Sequence, residues 1–190
     1  MANKSTFQRY GAPIVVLVGI CLVISAALAL TYSVAAPRIE ARAIADATAA
    51  RQELLPAADS FSDYEGELWA SEDGKVTVTE VSKADNKSGI VVTVVTSSFG
   101  GKLTEMVGID ADGAITGIKV TDHADTPGVG TKAQAPGHLE QYVGVSELTN
   151  TNIKKDPAID HVSGASVSSG AIHYGVYGAL EQFKLMGGEL

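Results

Sequence analysis

Residues 160–169 read D-H-V-S-G-A-S-V-S-S, and this stretch leads directly into a run with helical periodicity. Apolar residues recur three or four positions apart between Ile172 and Phe183, which predicts a helix with one buried face. Gly187 and Gly188 then give the expected helix end. The sequence therefore predicts a small-residue turn that opens onto a helix.

Hydroxyl groups crowd the predicted start of this helix. The candidates for capping it are Ser163, Ser166, Ser168 and Ser169. A helix N-terminus carries unpaired N–H groups and partial positive charge, so it readily binds a phosphate. Gly164 and Ala165 leave the backbone uncovered, so that a bulky anion can approach it. The residues alone fit two interpretations, a phosphate-binding turn or a serine-rich helix cap without a ligand.

The pattern D-x-x-[ST]-G-A-[ST] resembles the flavinylation motif of the FMN-binding domains of the RnfG and NqrC subunits. In that family the last hydroxyl residue of the motif carries FMN through a phosphoester bond. The resemblance places the acceptor at Ser166, where the family usually has threonine and serine keeps the hydroxyl. The other cofactor-binding residues that we assign to this motif are Asp160, Ser163, Gly164, Ala165 and Ser169.

A second motif, H-A-D-T-P-G-V-G-T-K, occupies residues 123–132. It is not a phosphate-binding P-loop, which needs Gly-Lys followed by Ser or Thr. It resembles the H-x-E-T-P-G-L-G element of RnfG and NqrC, which lies beside the isoalloxazine ring. Here Asp125 replaces the usual glutamate and Val129 the usual leucine. The residues assigned to this side of the cofactor are Thr126, Pro127, Gly128, Val129, Gly130 and Lys132, with Phe99 and Gly100 from the preceding turn.

Composition excludes several classes of protein. The chain has 190 residues and a net charge of −8, whereas nucleic-acid binding usually needs a basic surface. The single cysteine, Cys21, excludes a disulfide framework or a cysteine-ligated cluster within the chain. The four histidines are scattered without the spacing of metal ligands, so we assign no metal site.

The N-terminal part predicts a membrane anchor. After a polar tail at 1–12, residues 13–37 carry no charged side chain and are long enough to cross a bilayer. A signal peptide is the competing interpretation, but its apolar region is usually shorter. We assign 13–36 to a transmembrane helix and 37–56 to a membrane-proximal helix, which is either separate or a continuation of the first. Positive charges flank both ends and do not decide the orientation; the resemblance implies an extracytoplasmic domain.

Residues 57–190 form the predicted FMN-binding domain. Its predicted strand-like runs are Glu67–Ala70, Lys75–Val81, Ile90–Thr96, and a hairpin of Leu103–Ile109 with Ala114–Val120 around an Asp-Ala-Asp-Gly turn. Pro136–Tyr142 predicts a short helix. We therefore expect an α+β fold, in which one N-terminal transmembrane helix precedes a domain of twisted antiparallel strands with flanking helices.

The resemblance implies an electron-transfer subunit of an Rnf-type ion-translocating ferredoxin:NAD⁺ oxidoreductase, with partners among its integral-membrane, iron-sulfur and flavin subunits. The chain is then a redox subunit without a complete active site. No base is placed by sequence to activate Ser166, so a flavin transferase of the ApbE type is expected to attach the FMN. The alternatives are an NqrC-like subunit of a Na⁺-pumping NADH:quinone reductase, a stand-alone flavinylated carrier, or an anchored scaffold without redox function.

Overall fold

The protein is represented by a computed structural model that describes residues 11–187. Most of the predicted tail at 1–12, the predicted helix end at Gly188, and the last residues of the predicted 57–190 domain therefore lie outside the described residues. The chain divides into two compact units, residues 1–47 and 48–190.

One long helix, α1 (Ala12–Leu54), accounts for nearly all of the described part of the first unit. Its apolar side chains are exposed, as Leu22 at 65% and Leu28 at 66% illustrate. The helix is long and apolar enough to cross a membrane, where such side chains are stable. Pro37 lies inside the helix, so the membrane-proximal helix continues the first helix rather than forming a separate one.

In the second unit, the last turn of α1 packs against a sheet. The Leu54 carbonyl accepts a hydrogen bond from the Thr116 hydroxyl. A side chain at Gly108 would overlap that carbonyl, so glycine permits this close approach. Arg51 forms an ion pair with Glu80. The helix ends at Leu54, two residues before Pro56, close to the end predicted from the proline.

The sheet has five antiparallel strands in sequential order. They are β1 (Phe61–Asp63), β2 (Val76–Ala84), β3 (Gly89–Ser97), β4 (Lys102–Asp110) and β5 (Ile115–His123). Val107 of β4 pairs with Val92 of β3 and with Ile118 of β5, which fixes the register at the centre of the sheet. The predicted β4–β5 hairpin is confirmed, and Asp110 accepts two N–H bonds of its turn.

The predicted strand-like run at Glu67–Ala70 is wrong, because only Ala70 forms an isolated bridge, to Thr77. The side chain of Gln182 instead forms hydrogen bonds with backbone groups of this segment. It accepts a hydrogen bond from the Trp69 N–H at 2.6 Å and donates one to the Glu67 carbonyl at 3.1 Å. The first strand, β1, lies earlier in the chain than predicted.

Helix α3 (Ser166–Leu185) covers one face of the sheet and encloses the core. Its residues Ile172, Val176 and Ala179 are fully buried against the strands. The predicted short helix is confirmed as α2 (Pro136–Leu139), followed by a 3₁₀ turn at Glu140–Tyr142. Together with α1 and the antiparallel sheet, these helices confirm the predicted α+β class.

Candidate cofactor-binding site

Helix α3 begins within the serine-rich motif, at Ser166. Its N-cap residue is Ala165, and no side chain caps the helix, so the predicted serine cap is wrong. Gly164, with φ at +80°, lies between Ser163 and the N-cap residue Ala165, so Ser163 is two residues too early to cap the helix. The hydroxyl of Ser168 lies 3.1 Å from that of Ser98, so it too is engaged elsewhere.

The first N–H groups of α3 point away from the helix. The N–H of Ser169 makes the first bond of the helix, to the Ala165 carbonyl at 2.9 Å. The N–H groups of residues 166–168 have no intrahelical acceptor, since they belong to the first turn. Within residues 11–187 the half-buried Ser166 hydroxyl has no hydrogen-bond partner. A free hydroxyl and three free N–H groups therefore lie at one helix end.

A cavity of about 340 Å³ opens beside this helix end. Its lining is Phe99, Val129, Gly130, Gly164, Ala165, Ser166, Val167 and Ser168. Five of these residues were predicted from the two motifs and Phe99 from the preceding turn, so the fold brings both motifs to one cavity. Phe99 is 73% exposed and Val129 is 50% exposed. These apolar side chains at the rim suit a flat, largely apolar ring.

The remaining predicted residues do not line the cavity. Gly100 forms the β3–β4 turn, and Thr126, Pro127 and Gly128 form the turn before Val129. The Thr126 carbonyl accepts the N–H groups of Val129 and Gly130, each at 3.1 Å. Lys132 lies exposed in the following 3₁₀ turn, Gly130–Gln134. Asp160 and Ser163 are exposed, whereas Ser169 is buried under the turn and accepts the Val162 N–H at 3.4 Å.

Asp125 joins the walls of the cavity, a role that sequence reasoning missed. Its buried carboxylate lies 2.7 and 2.8 Å from the Ser98 hydroxyl and accepts the Gly100 N–H at 2.9 Å. The cavity wall at Gly130 packs directly on it, because a Cβ there would lie 2.8 Å from the Asp125 Cγ and 3.0 Å from the Ser168 Oγ. The β3–β4 turn, the Thr-Pro-Gly loop and α3 therefore meet at Asp125.

Asp125 is held in the charged form. Burial acts to raise its pKa, but hydrogen bonds from Ser98, the Gly100 N–H and Ser168 outweigh burial and lower the pKa below its ordinary value. The position of Asp125 within the Thr-Pro-Gly motif was the one sequence signal for this role. Ser98 and Ser168 carried none, because isolated serines are common in turns and helix starts.

A second buried network holds the loop that precedes the serine motif. His173 of α3 lies 2.7 Å from the Asn150 carbonyl through Nε2 and 3.3 Å from the Tyr142 hydroxyl through Nδ1. Asp156 accepts the N–H groups of Thr149, Asn150 and Ala158. This network fixes the loop on α3, and so fixes the approach of the chain to Ser166.

A larger cavity, of about 390 Å³, lies between β5 and residues 134–143. Its lining includes Lys119, Gln134 and Leu139 and none of the residues predicted for the cofactor. The smaller cavity is the candidate site, because it adjoins the free N–H groups of α3 and the larger cavity does not.

The two motifs and the cavity they share define an FMN-binding domain, and residues 98–181 match the family model described as "FMN-binding domain". The chain is 32% identical to the G subunit of the Na⁺-translocating ferredoxin:NAD⁺ oxidoreductase complex of Acetobacterium woodii, with 87% of each chain covered. It is 29% identical to the G subunit of the ion-translocating oxidoreductase complex of Methanosarcina acetivorans, with 88% of this chain and 91% of the relative covered. The chain belongs to this family of G subunits.

A solved structure, that of NqrC from Shewanella oneidensis, resembles the chain with a TM-score of 0.44 and 20% sequence identity. The similarity covers 57% of this chain and 58% of that one.

Proposed function

We propose that this protein is the membrane-anchored electron-transfer subunit of an Rnf-type ion-translocating ferredoxin:NAD⁺ oxidoreductase and carries FMN covalently on Ser166. The observation that supports this most strongly is the unpartnered Ser166 hydroxyl at a free helix N-terminus, on the edge of a cavity. The relatives named above are G subunits of ion-translocating oxidoreductase complexes. When bound, FMN supplies reversible electron transfer.

The residues of the cavity fit FMN. A phosphate esterified to Ser166 would lie against the free N–H groups of residues 166–168, where a helix N-terminus stabilises negative charge. Gly164 keeps this approach open, since a Cβ there would meet nothing within 4 Å. Phe99 and Val129 offer apolar surface to the ring. Lys132, Thr126, Pro127 and Gly128 would shape the loop on the ring side.

The chain does not activate Ser166 itself. The Asp125 carboxylate, which joins the cavity walls, is engaged with Ser98 and the Gly100 N–H. A serine hydroxyl without a base is a poor nucleophile. A flavin transferase of the ApbE type would therefore supply the base for attachment, with Asp160 and Ser163 as exposed determinants of its recognition.

Within residues 11–187, one helix, α1, is long and apolar enough to cross a membrane, which supports a single-pass protein. We place the FMN domain on the extracytoplasmic side, as in the resembling subunits. The described part of the membrane segment has no ionisable side chain between Pro13 and Pro37 apart from Cys21 and Tyr32. Ion translocation and substrate oxidation would accordingly belong to partner subunits.

The covalent link is tested by producing the full chain together with an active flavin transferase and recording flavin fluorescence after denaturation. Ser166→Ala should abolish the fluorescence, and Ser166→Thr should retain it. Ser146→Ala is the matched control, because it removes an exposed hydroxyl outside both motifs and leaves the acceptor intact. Fluorescence that survives in Ser166→Ala would refute attachment at this residue.

The place in the complex is tested by affinity purification of the tagged full chain from its native membrane. We expect it to bring down integral-membrane and iron-sulfur or flavin subunits together with ferredoxin:NAD⁺ oxidoreductase activity. A flavinylated chain that purifies alone would show a stand-alone carrier instead. Copurifying NADH:quinone reductase activity would indicate the NqrC-like alternative.

A further inference from the structure

Glu105 places a carboxyl group in the hydrophobic core. It lies on β4, on the face that packs against α3, between the buried residues Leu103 and Val107. Its side chain is 0% exposed, and within residues 11–187 neither carboxyl oxygen has a hydrogen-bond partner. Burial raises the pKa of Glu105 well above its ordinary value, because an unpaired charge is costly in the core.

The fold makes room for this carboxyl group. Gly175 of α3 faces it, and a Cβ at this position would overlap a carboxyl oxygen of Glu105. The same Cβ would lie 2.8 Å from the Cγ2 of Thr96. Thr96 is 2% exposed, and its hydroxyl also lacks a partner among the described residues. Glu105 and Thr96 thus form a buried polar pair in the space left by Gly175.

A cavity lies beside Thr96, although Glu105 itself does not line it. Thr96 lines a cavity of about 190 Å³, together with Ser97, Tyr174 and Lys75. This space is large enough to admit water. Val167 lines both this cavity and the one that contains Ser166. Thr96, which lies beside Glu105, therefore borders this cavity, and the cavity shares Val167 with the candidate FMN site.

The titratable groups around Glu105 do not neutralise its carboxylate, so its protonation responds to a nearby charge. The titratable groups on the elements packed about it, and at the mouth of the cavity, are Tyr142, His138, His173, Asp156, Lys75, Asp73 and Tyr174. Burial lowers the pKa of both His138 and His173, so they are neutral at pH 7. The pKa of Tyr142 is raised, first by burial and then by Glu105 and Asp156. Lys75 is paired with Asp73 at 3.0 Å.

We infer that Glu105 is a proton-exchange site that takes up a proton from solvent when bound FMN is reduced and releases it on reoxidation. This inference rests on the proposed function. The electrons come from the donor subunit of the complex and stay on the cofactor. At Glu105 only one bond changes, since a carboxylate oxygen binds H⁺ from water and becomes the acid O–H.

The sign of the coupling follows from electrostatics. Reduction adds negative charge to the domain, and negative charge raises the proton affinity of a nearby carboxylate. Uptake therefore occurs in the pH window between the pKa of Glu105 with oxidised cofactor and its higher pKa with reduced cofactor. Outside this window Glu105 contributes no proton.

The experiment compares the flavinylated full chain with Glu105→Gln, which keeps the shape and cannot ionise. Flavin occupancy is first measured by intact mass. Proton uptake on reduction is then measured in weakly buffered solution across pH, and the carboxylic C=O stretch is recorded in redox-difference infrared spectra. Glu72→Gln, on an exposed turn, is the control.

We expect the wild type and Glu72→Gln to take up more protons per flavin than Glu105→Gln, with the difference approaching about one in the window. The infrared carboxylic band should change on reduction only where Glu105 is present. Equal uptake and an unchanged band in flavinylated Glu105→Gln would overturn the inference and leave the proposed function intact. A wild-type chain without flavin would overturn both.

If Glu105→Gln fails to fold, Thr96→Val serves instead. It removes the hydroxyl beside Glu105 and makes the site less polar. Because a less polar site disfavours the carboxylate, the uptake window should move to higher pH. A window that stays in place in folded Thr96→Val would contradict the role of the pair.

Discussion

The Ser98 hydroxyl lies 2.7 and 2.8 Å from the two carboxylate oxygens of Asp125, so that one proton is shared between them. This contact ties the β3–β4 turn to the Thr-Pro-Gly loop. Ser168 of α3 lies 3.1 Å from the same hydroxyl. The Ser98 hydroxyl thus holds together the three segments that form the walls of the candidate cavity.

Ser98→Ala should destabilise the domain by about 1.5–3 kcal/mol, since it removes a hydrogen bond to a buried charged group. FMN loading should fall as well, because the cavity walls separate. Thermal unfolding and flavin fluorescence check the two effects. Ser97→Ala, at the exposed end of β3, is the control and should change neither. Unchanged unfolding in Ser98→Ala would show that Asp125 does not hold the walls together.

Gly100→Ala should distort the same turn. A Cβ at residue 100 would overlap the Ala124 carbonyl and lie 2.7 Å from the Asp125 Cα, and backbone cannot move aside cheaply. We expect a loss of about 1–3 kcal/mol in the free energy of unfolding and reduced FMN loading. Gly137→Ala is the matched control, because a Cβ there meets nothing within 4 Å. Equal stability of the two variants would contradict the close approach.

Gly175→Ala tests the packing around Glu105. Alanine normally stabilises a helix interior relative to glycine, but here the Cβ would overlap the Glu105 carboxyl, so we expect destabilisation of about 1–3 kcal/mol. Glu105→Ala should reduce this penalty in the double variant and leave only the contact of the new Cβ with the Thr96 Cγ2. A double-mutant cycle on unfolding free energies gives the coupling. Additive effects would show that the two residues do not meet.

Acid should weaken the domain through His173. Burial lowers its folded-state pKa below 6.5, while the unfolded chain titrates near 6.5. The unfolded state therefore binds more protons as the pH falls, and stability decreases from about pH 6.5 downward. His173→Gln should flatten this part of the stability–pH curve, and His123→Gln, which is exposed, should not. An equal slope in both variants would refute the role of His173.

The sequence predicted the parts of the site that local patterns encode. The hairpin, the start of the helix near Ser166 and the two small-residue motifs all follow from turn residues and periodicity. Their meeting at one cavity was expected only through the family resemblance. The Ser98–Asp125–Ser168 contacts join residues up to 70 positions apart, and no local pattern reports such a contact.

Two errors have the same physical origin. The run at Glu67–Ala70 has strand-like composition, but the side chain of Gln182, 113 positions away from Trp69, forms hydrogen bonds with its peptide groups. The serines at α3 are good caps by type, but the φ of Gly164 and the distant partner Ser98 direct them elsewhere. In both cases a tertiary contact overrides a local preference.

The most direct measurement is the intact mass of the full chain purified from its native membrane, beside the same chain carrying Ser166→Ala. We expect a mass increased by one esterified FMN in the natural chain and the unmodified mass in the variant. An unmodified natural chain, from cells with an active flavin transferase, would contradict covalent attachment at Ser166.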